Sequence, residues 1–321
     1  MEKYMVTGFS GFVSKHFLDY LNSRGTPCTV AGIDINIPEF DYKSYAHVQC
    51  SFHAINLLNR EQVNAFIQEY RPDYILHLAS YSSVAYSWQH PVESFTNNTN
   101  IFLNLLEQVR NMNLNCRILS VGSSEEYGNV SEADIPLRET QSLKPISPYA
   151  VARVSQEMLS AVYAQGFGLD VILTRSFNHI GPGQKDIFVI SSFVKRMLEI
   201  KQLGLSAQLQ TGDLTIIRDF LDVRDVVRAY YMLLKNGDRG EIYNICSGKG
   251  IALEQIINKL SAMIGLQVTT VQDPALVRPN DNRIIIGDNS KLKARIAWET
   301  EYSLDRSLQD IIDYWTLRLA E

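Results

Sequence analysis

Short apolar runs alternate with amphipathic stretches through the first half of the chain. "KYMVT", "TVAGI", "YILHL", "CRILSV" and "LDVILTRS" have the dense apolar, β-branched pattern of buried strands. Between them, "KHFLDYLNSR", "REQVNAFIQEY" and "NIFLNLLEQVR" repeat apolar residues every third or fourth position, the period of an amphipathic helix. The alternation predicts an α/β fold, a doubly wound parallel sheet with helices on both faces. Ligands of such sheets sit at the carboxyl ends of the strands, so residues just after each apolar run come first in the search for chemistry.

The regularity breaks after residue 177. "NHIGPGQKD" is a loop by its Gly and Pro content, followed by helices ("FVKRMLEIK", "VRDVVRAYYMLLK", "LEQIINKLSAMIG") and short strands ("EIYNIC", "VTTV"). A last helix from Ser303 places Leu304, Leu308, Ile311, Ile312, Trp315 and Leu319 on one face, a packing stripe. The expected organisation is a first domain over 1–177 and, over 178–321, mainly a smaller C-terminal α/β substrate-binding lobe, with some segments returning to the first domain.

Composition narrows the partners. With a net charge of -5 and a pI near 5.7, the chain offers no electrostatic case for nucleic acid or an anionic membrane. An anionic ligand must be held by local arginines and helix N-termini. Cys28, Cys50, Cys116 and Cys246 form no CxxC pair and read as free thiols of a reducing, cytoplasmic protein. The start "MEKYMVTG" runs directly into a strand pattern, and no apolar run approaches the length of a membrane span. The six histidines show no metal spacing, so no metal is expected.

"VTGFSGFVSKH" joins the first strand to the first helix. Gly8 permits the tight turn, Gly11 lets a pyrophosphate approach the backbone, and Ser14 stands where a third glycine often sits, still small enough for close helix packing. The helix then offers free N–H groups to phosphate. Asp34 follows 23 residues after Gly11 and can accept hydrogen bonds from both adenosine ribose hydroxyls while repelling a 2′-phosphate. These features predict a Rossmann-type dinucleotide site that favours NAD(H), with NADP(H) possible. Asn56 lies where an adenine-edge contact would fall.

Three further segments converge if the sheet is wound this way: "HLASYSSV", "GSSEEYG" and "SPYAVAR". With "RSFNHIGPGQ", "RDFLDVRD", "YNICSG" and "VRPND", they make the chain resemble, over essentially its full length, the extended short-chain dehydrogenases/reductases acting on nucleotide sugars. Within that group it most resembles the GDP-4-keto-6-deoxy-D-mannose reductases, which make GDP-D-rhamnose, and next the GDP-mannose 4,6-dehydratases. The resemblance implies that Tyr149 is the general acid/base at the sugar C4 oxygen and that Ser123 hydrogen-bonds the same oxygen. It implies a cofactor site formed by Gly8, Ser10, Gly11, Phe12, Val13, Asp34, Asn56, Leu57, Leu78, Ala79, Asn98, Tyr149 and Arg153. The GDP-sugar side is implied at Ser124, Glu125, Asn178, Lys195, Arg218 and Arg278, and the assembly as a homodimer through the helices near 92–111 and 148–165.

Two positions leave the reaction open. Glu125 matches the dehydratases' C5 base, yet a carboxylate there also suits a substrate-orienting role. Arg153 stands where the family has lysine. Arginine keeps the positive charge but spreads it over a planar fork and yields no proton at accessible pH. Reduction begins with tyrosine as a neutral acid, so the loss of an ammonium relay favours reduction over dehydration. The alternatives are a GDP-mannose 4,6-dehydratase-like enzyme and, if Arg153 merely faces solvent, a catalytically weak NAD- or nucleotide-sugar-binding protein.

Overall fold

The computed structural model describes residues 1–277 and 282–320. In chain order the first half runs β1 (Glu2–Thr7), α1 (Phe12–Ser23), β2 (Cys28–Asp34), β3 (Val48–Ala54), α2 (Arg60–Tyr70), β4 (Tyr74–His77), α3 (Val84–Gln89), α4 (Pro91–Asn111), β5 (Arg117–Ser123), α5 (Pro148–Gly166) and β6 (Asp170–Ser176). The second runs β7 (Asn178–Ile180), α6 (Val189–Leu203), β8 (Gln208–Thr211), β9 (Ile217–Asp222), α7 (Val223–Asn236), β10 (Ile242–Ile245), β11 (Gly250–Ala252), α8 (Leu253–Ile264), β12 (Thr269–Gln272), β13 (Ile284–Ile285), α9 (Ser290–Ile296) and α10 (Leu304–Arg318).

Seven strands form one sheet in the order β10-β6-β5-β4-β1-β2-β3, every pairing parallel. The chain starts at β1, works outward to β3, then returns to β4 on the other side of β1. That reversal opens a crevice at the carboxyl ends of β1 and β4, the place where this architecture binds ligands.

The apolar periods read above are the two faces of this sheet. On one, Phe17, Leu18 and Leu21 of α1 and Val226, Tyr230 and Leu233 of α7 close over Val6, Val30 and Leu76. On the other, Ile67 of α2 and Phe102, Leu105 and Leu106 of α4 cover Met5, Ile75 and Ile118. Side chains of this kind, buried almost completely, are the main source of stability, at about 1.5–3 kcal/mol each on the transfer scale.

The stretch "EIYNIC" is β10, which joins the large sheet beside β6 although it lies well past residue 177. Ahead of it, α7 belongs to the first core, and Leu292 and Ile296 of α9 return there too. A separate core brings Phe193, Val194 and Met197 of α6 against Ile256 and Leu260 of α8 and Leu308, Ile311 and Ile312 of α10. Leu319 falls just past the end of α10. The short β7, β9, β11 and β13 pair with one another, and Asp219 of β9 bonds Ser247 and Gly248 just past the end of β10.

Candidate active site

The chain leaves β1 through Gly8 at φ +68°, a conformation that favours glycine. A Cβ there would stand 2.7 Å from the Ala79 amide nitrogen, so the loop from β1 passes directly against the loop from β4. Ser14 secures the turn, its hydroxyl donating to Gly8 O at 3.0 Å. Gly11 caps α1 without any side-chain hydrogen bond, which leaves the first-turn N–H groups without a side-chain cap. Gly8, Ser10, Gly11, Phe12 and Val13 thus form a cradle whose shape and polarity fit a dinucleotide pyrophosphate.

Asp34 closes the outer end of that cradle. Its Oδ2 accepts from the Ser10 amide at 2.9 Å and the Ser10 hydroxyl at 2.7 Å, and Oδ1 accepts from the Asn36 amide at 3.0 Å. The carboxylate therefore orders the glycine loop. Asn56 is exposed and turns its own loop through a bond from the Leu58 amide, at 2.9 Å, while Leu57 is buried in the α2–α4 core.

Thr7 and Asn98 hold the β4 exit. The Thr7 hydroxyl accepts from the Leu78 and Ala79 amides, both at 3.2 Å, and shares a hydrogen bond with His77 Nδ1 at 2.9 Å. Burial, with the Arg153 charge adding to it, pushes His77 down to about 3, so the ring is a neutral packing group. Asn98 spends its amide on one backbone unit, accepting from Tyr81 N at 2.7 Å and donating to Tyr81 O at 3.1 Å. It fixes the shape of the loop that follows Ala79.

α5 begins at Ser147, whose hydroxyl caps the Ala150 amide at 3.1 Å, with Pro148 in the first turn. Tyr149 and Arg153 are one turn apart on the buried face of this helix, and Arg153 is only 4% exposed. Its Nε donates to the Tyr149 hydroxyl at 3.1 Å. Nη1 donates to Val121 O at 2.9 Å and to Gln156 Oε1 at 2.7 Å, and Nη2 donates to Ser80 Oγ at 2.6 Å. Four of the five guanidinium N–H donors are thereby used within the protein. One side chain ties together the exits of β4 and β5 and the start of α5. A solvent-facing arginine is ruled out.

Ser123 ends β5. Its hydroxyl accepts from the Glu125 amide at 3.2 Å, and its own amide donates to Glu126 Oε1 at 2.6 Å. Ser124 is buried and Glu125 half-buried on the short turn that follows. The neighbouring Glu126 is fully buried, and burial together with the adjacent Glu157 carboxylate raises it well above the usual carboxyl range. Glu157 in turn makes a two-pronged buried pair with Arg175, at 2.8 Å for each bond. Glu126 therefore stands as a buried support beneath Ser123, biased toward its protonated form.

On the lobe side, Asn178 opens β7, in register with Phe220 of β9. His179 stacks on Phe12 with ring centroids 5.8 Å apart, and desolvation holds it down to about 4. It joins the cofactor cradle to the lobe as a neutral ring. Arg218 is buried on β9, with Nη1 donating to Ile217 O at 2.9 Å. Lys195 lies on α6, paired with Asp186 at 2.6 Å and 5.4 Å above the Trp315 ring. Arg278 lies outside the described residues.

The acidic residues of "RDFLDVRD" organise loops. Asp219 accepts from Ser247 N, Ser247 Oγ and Gly248 N at 2.8, 2.6 and 2.9 Å, joining this motif to "YNICSG". Asp225 accepts from the Glu301 and Tyr302 amides at 3.0 Å each. The roles of Asp219, Asp225, Ser80 and Gln156 are hidden in the sequence because each joins segments far apart in the chain, and that of Glu126 because it depends on how the turn after β5 is directed. Among the described residues no cluster of His, Cys, Asp and Glu could hold a metal, and no helix is long and apolar enough to cross a membrane.

Residues 5–311 match the family model described as GDP-mannose 4,6 dehydratase. The GDP-6-deoxy-D-mannose reductase of Pseudomonas aeruginosa is 34% identical over 100% of this chain and 99% of its own. The GDP-mannose 4,6-dehydratase of Yersinia enterocolitica is 26% identical, over 97% of this chain and 93% of its own. Among solved structures, RMD from Pseudomonas aeruginosa complexed with NADPH superposes with a TM-score of 0.87 at 32% identity, covering 99% of this chain and 100% of that one. The UDP-glucose 4-epimerase of Thermotoga maritima with UDP-glucose gives 0.86 at 29% identity, covering 99% of each chain.

Proposed function

Since the chain belongs to the GDP-mannose 4,6-dehydratase family of extended, NAD(P)-dependent short-chain dehydrogenases/reductases acting on nucleotide sugars, we propose that it is a reductase of a GDP-4-keto-6-deoxy-hexose. It converts GDP-4-dehydro-6-deoxy-D-mannose to GDP-D-rhamnose, a step of nucleotide-sugar and cell-surface glycan biosynthesis. The observation that carries this reading is the bond from Arg153 Nε to the Tyr149 hydroxyl, at 3.1 Å. A guanidinium in that position stabilises negative charge on the tyrosine as it forms and cannot act as a proton relay. The full-length similarity to a reductase supports the same direction.

The cofactor cradle runs from Gly8 to Val13, with Asp34 favouring NADH on the ribose side. Bound reduced nicotinamide supplies the hydride for C4. Tyr149 gives its proton to the C4 oxygen, and the phenolate left behind is held by the Arg153 N–H. Ser123, whose hydroxyl accepts from the Glu125 amide, donates to the same oxygen. Glu125 and Ser124 orient the sugar, Asn178 contacts it from β7, and Arg218, Arg278 and Lys195 serve the diphosphate. The phenolate regains its proton from solvent, since arginine has none to give. The active form is a homodimer through α4 and α5.

A second reading, dehydration of GDP-mannose, rests on Glu125, a half-buried carboxylate at the β5 exit where a C5 base would stand. One assay separates the two. Purified protein is given the 4-keto-6-deoxy GDP-sugar with NADH or NADPH and, separately, GDP-mannose with no added cofactor. Consumption of the reduced cofactor in the first alone is expected. A keto product in the second overturns the reductase reading, and binding without turnover in either marks a catalytically weak binding protein.

A further inference from the structure

Arg153 can serve Tyr149 only while its guanidinium stays turned toward the phenol, and a free arginine side chain samples many rotamers. The residue that removes this freedom most directly lies one turn farther along α5. Gln156 is 1% exposed. Its Nε2 donates to Ser120 Oγ at 2.9 Å and Val121 O at 3.2 Å, which uses both amide hydrogens. Its Oε1 is therefore left facing Arg153 Nη1, at 2.7 Å. The reverse amide orientation would set NH2 against guanidinium donors and a carbonyl against Val121 O, so the network allows one arrangement.

We infer that Gln156 is a positioning residue for the proton donor, acting through Arg153. Gln156 and Val121 O grip one edge of the fork, Ser80 Oγ takes the other, and the remaining Nε–H has the Tyr149 hydroxyl as its acceptor. Ser160, donating toward Ser120 Oγ at 3.0 Å, backs the amide from behind. This grip is specific to a fork. A lysine ammonium presents one point of charge and could not reach the Tyr149 hydroxyl, Gln156 and Ser80 in the same planar arrangement. Gln156 thus belongs with the arginine, and the pair replaces what a lone lysine does in relatives.

The inference rests on Tyr149 being the acid of the proposed reaction, and its test is separable from that reaction. Hydrogen exchange at the Arg153 Nε–H, its NMR signal assigned by loss in Arg153→Lys, is compared in the parent, Gln156→Met and Gln156→Glu. Methionine releases the guanidinium, whereas glutamate keeps an acceptor for Nη1. Exchange is expected to quicken about tenfold or more in Gln156→Met and to stay near the parent rate in Gln156→Glu. With substrate, Gln156→Met is expected to lower kcat about 10- to 100-fold with little change in KM, and to cost less than about threefold in an Arg153→Lys background. Exchange in folded Gln156→Met as slow as in the parent overturns the inference; if that variant does not fold, Gln156→Leu is read in its place. Quickened exchange without turnover of the keto sugar sustains it and sinks the reaction.

Discussion

The guanidinium of Arg153 meets the Tyr149 hydroxyl edge-on, Nε to Oη at 3.1 Å, with its carbon 5.3 Å from the centre of the same ring. One residue thus supplies both a hydrogen bond to the phenol oxygen and a charge over the phenol face. Replacing it by lysine keeps the charge number and loses the geometry. Arg153→Lys leaves Val121 O, Gln156 Oε1 and Ser80 Oγ to find new partners, each at a cost of about 1–3 kcal/mol where water cannot enter. Lower thermal stability and a kcat reduced by about tenfold or more are the expected outcomes, measured by melting and steady-state kinetics. A higher kcat in the lysine variant would show the arginine to be a handicap.

Tyr149→Phe removes the proton donor while leaving the aromatic packing. A kcat lower by about 10²- to 10⁴-fold is expected, with the fold intact and cofactor binding, followed by fluorescence titration, weakened far less. Equal loss of binding and turnover would place Tyr149 in the cofactor grip and leave the proton to another group.

Asp34, proposed above as the ribose-side carboxylate, anchors Ser10 at 2.9 and 2.7 Å. Asp34→Asn keeps an acceptor for Ser10 and removes the charge that would repel a 2′-phosphate. The ratio of kcat/KM for NADPH over NADH is expected to rise about tenfold or more, as removal of 1.4 kcal/mol of repulsion implies. An unchanged ratio would move the selectivity elsewhere.

Glu126 gives a pH dependence with a definite sign. Folding raises it well above its ordinary 4.5, so above that pH the folded protein holds a proton that the unfolded chain has released. Its contribution is complete below the unfolded value and is lost as pH rises toward the folded one. Glu126→Gln retains the acceptor for the Ser123 amide and cannot ionise. Its melting temperature is expected to gain on the parent as pH rises above 4.5, and parallel curves would show that Glu126 does not titrate there.

The proposed homodimer has its own test. Val92 and Phe95 on α4 and Val151, Met158 and Val162 on α5 are exposed, between 42% and 76%. Apolar side chains concentrated on two adjacent helices suit an interface. Met158→Glu with Val162→Glu is expected to give a monomer by sedimentation, and a parent that already sediments as a monomer overturns the proposal.

Much of the fold lay open in the sequence because burial on both sheet faces leaves apolar runs of recognisable period. What the period could not say is which layer a helix joins. "VRDVVRAYYMLLK" reads as amphipathic in any setting, and only the pairing of β10 with β6 shows that α7 covers the large sheet. At the site, Tyr149 and Arg153 are visible as a pair because an i, i+4 spacing puts both on one helix face. Ser80 and Gln156 are not, since their purpose appears only when the β4 and β5 exits meet α5. The two glutamates after Ser124 show the limit most sharply. They are neighbours of identical chemistry, and the direction of a single turn decides which is half-buried and which is a buried support.

The passage of the chain back and forth between the two cores has a further consequence for how new specificities could arise. β9 leads straight into α7, and β10 into β11, so the segments that would touch the sugar are looped out of the cofactor-binding body rather than appended to it. No single cut yields two halves that keep their own cores. Exchanging the lobe with that of a relative by one crossover would leave α7, β10 and α9 in foreign company, so changes of substrate are confined to loop-sized replacements made in place.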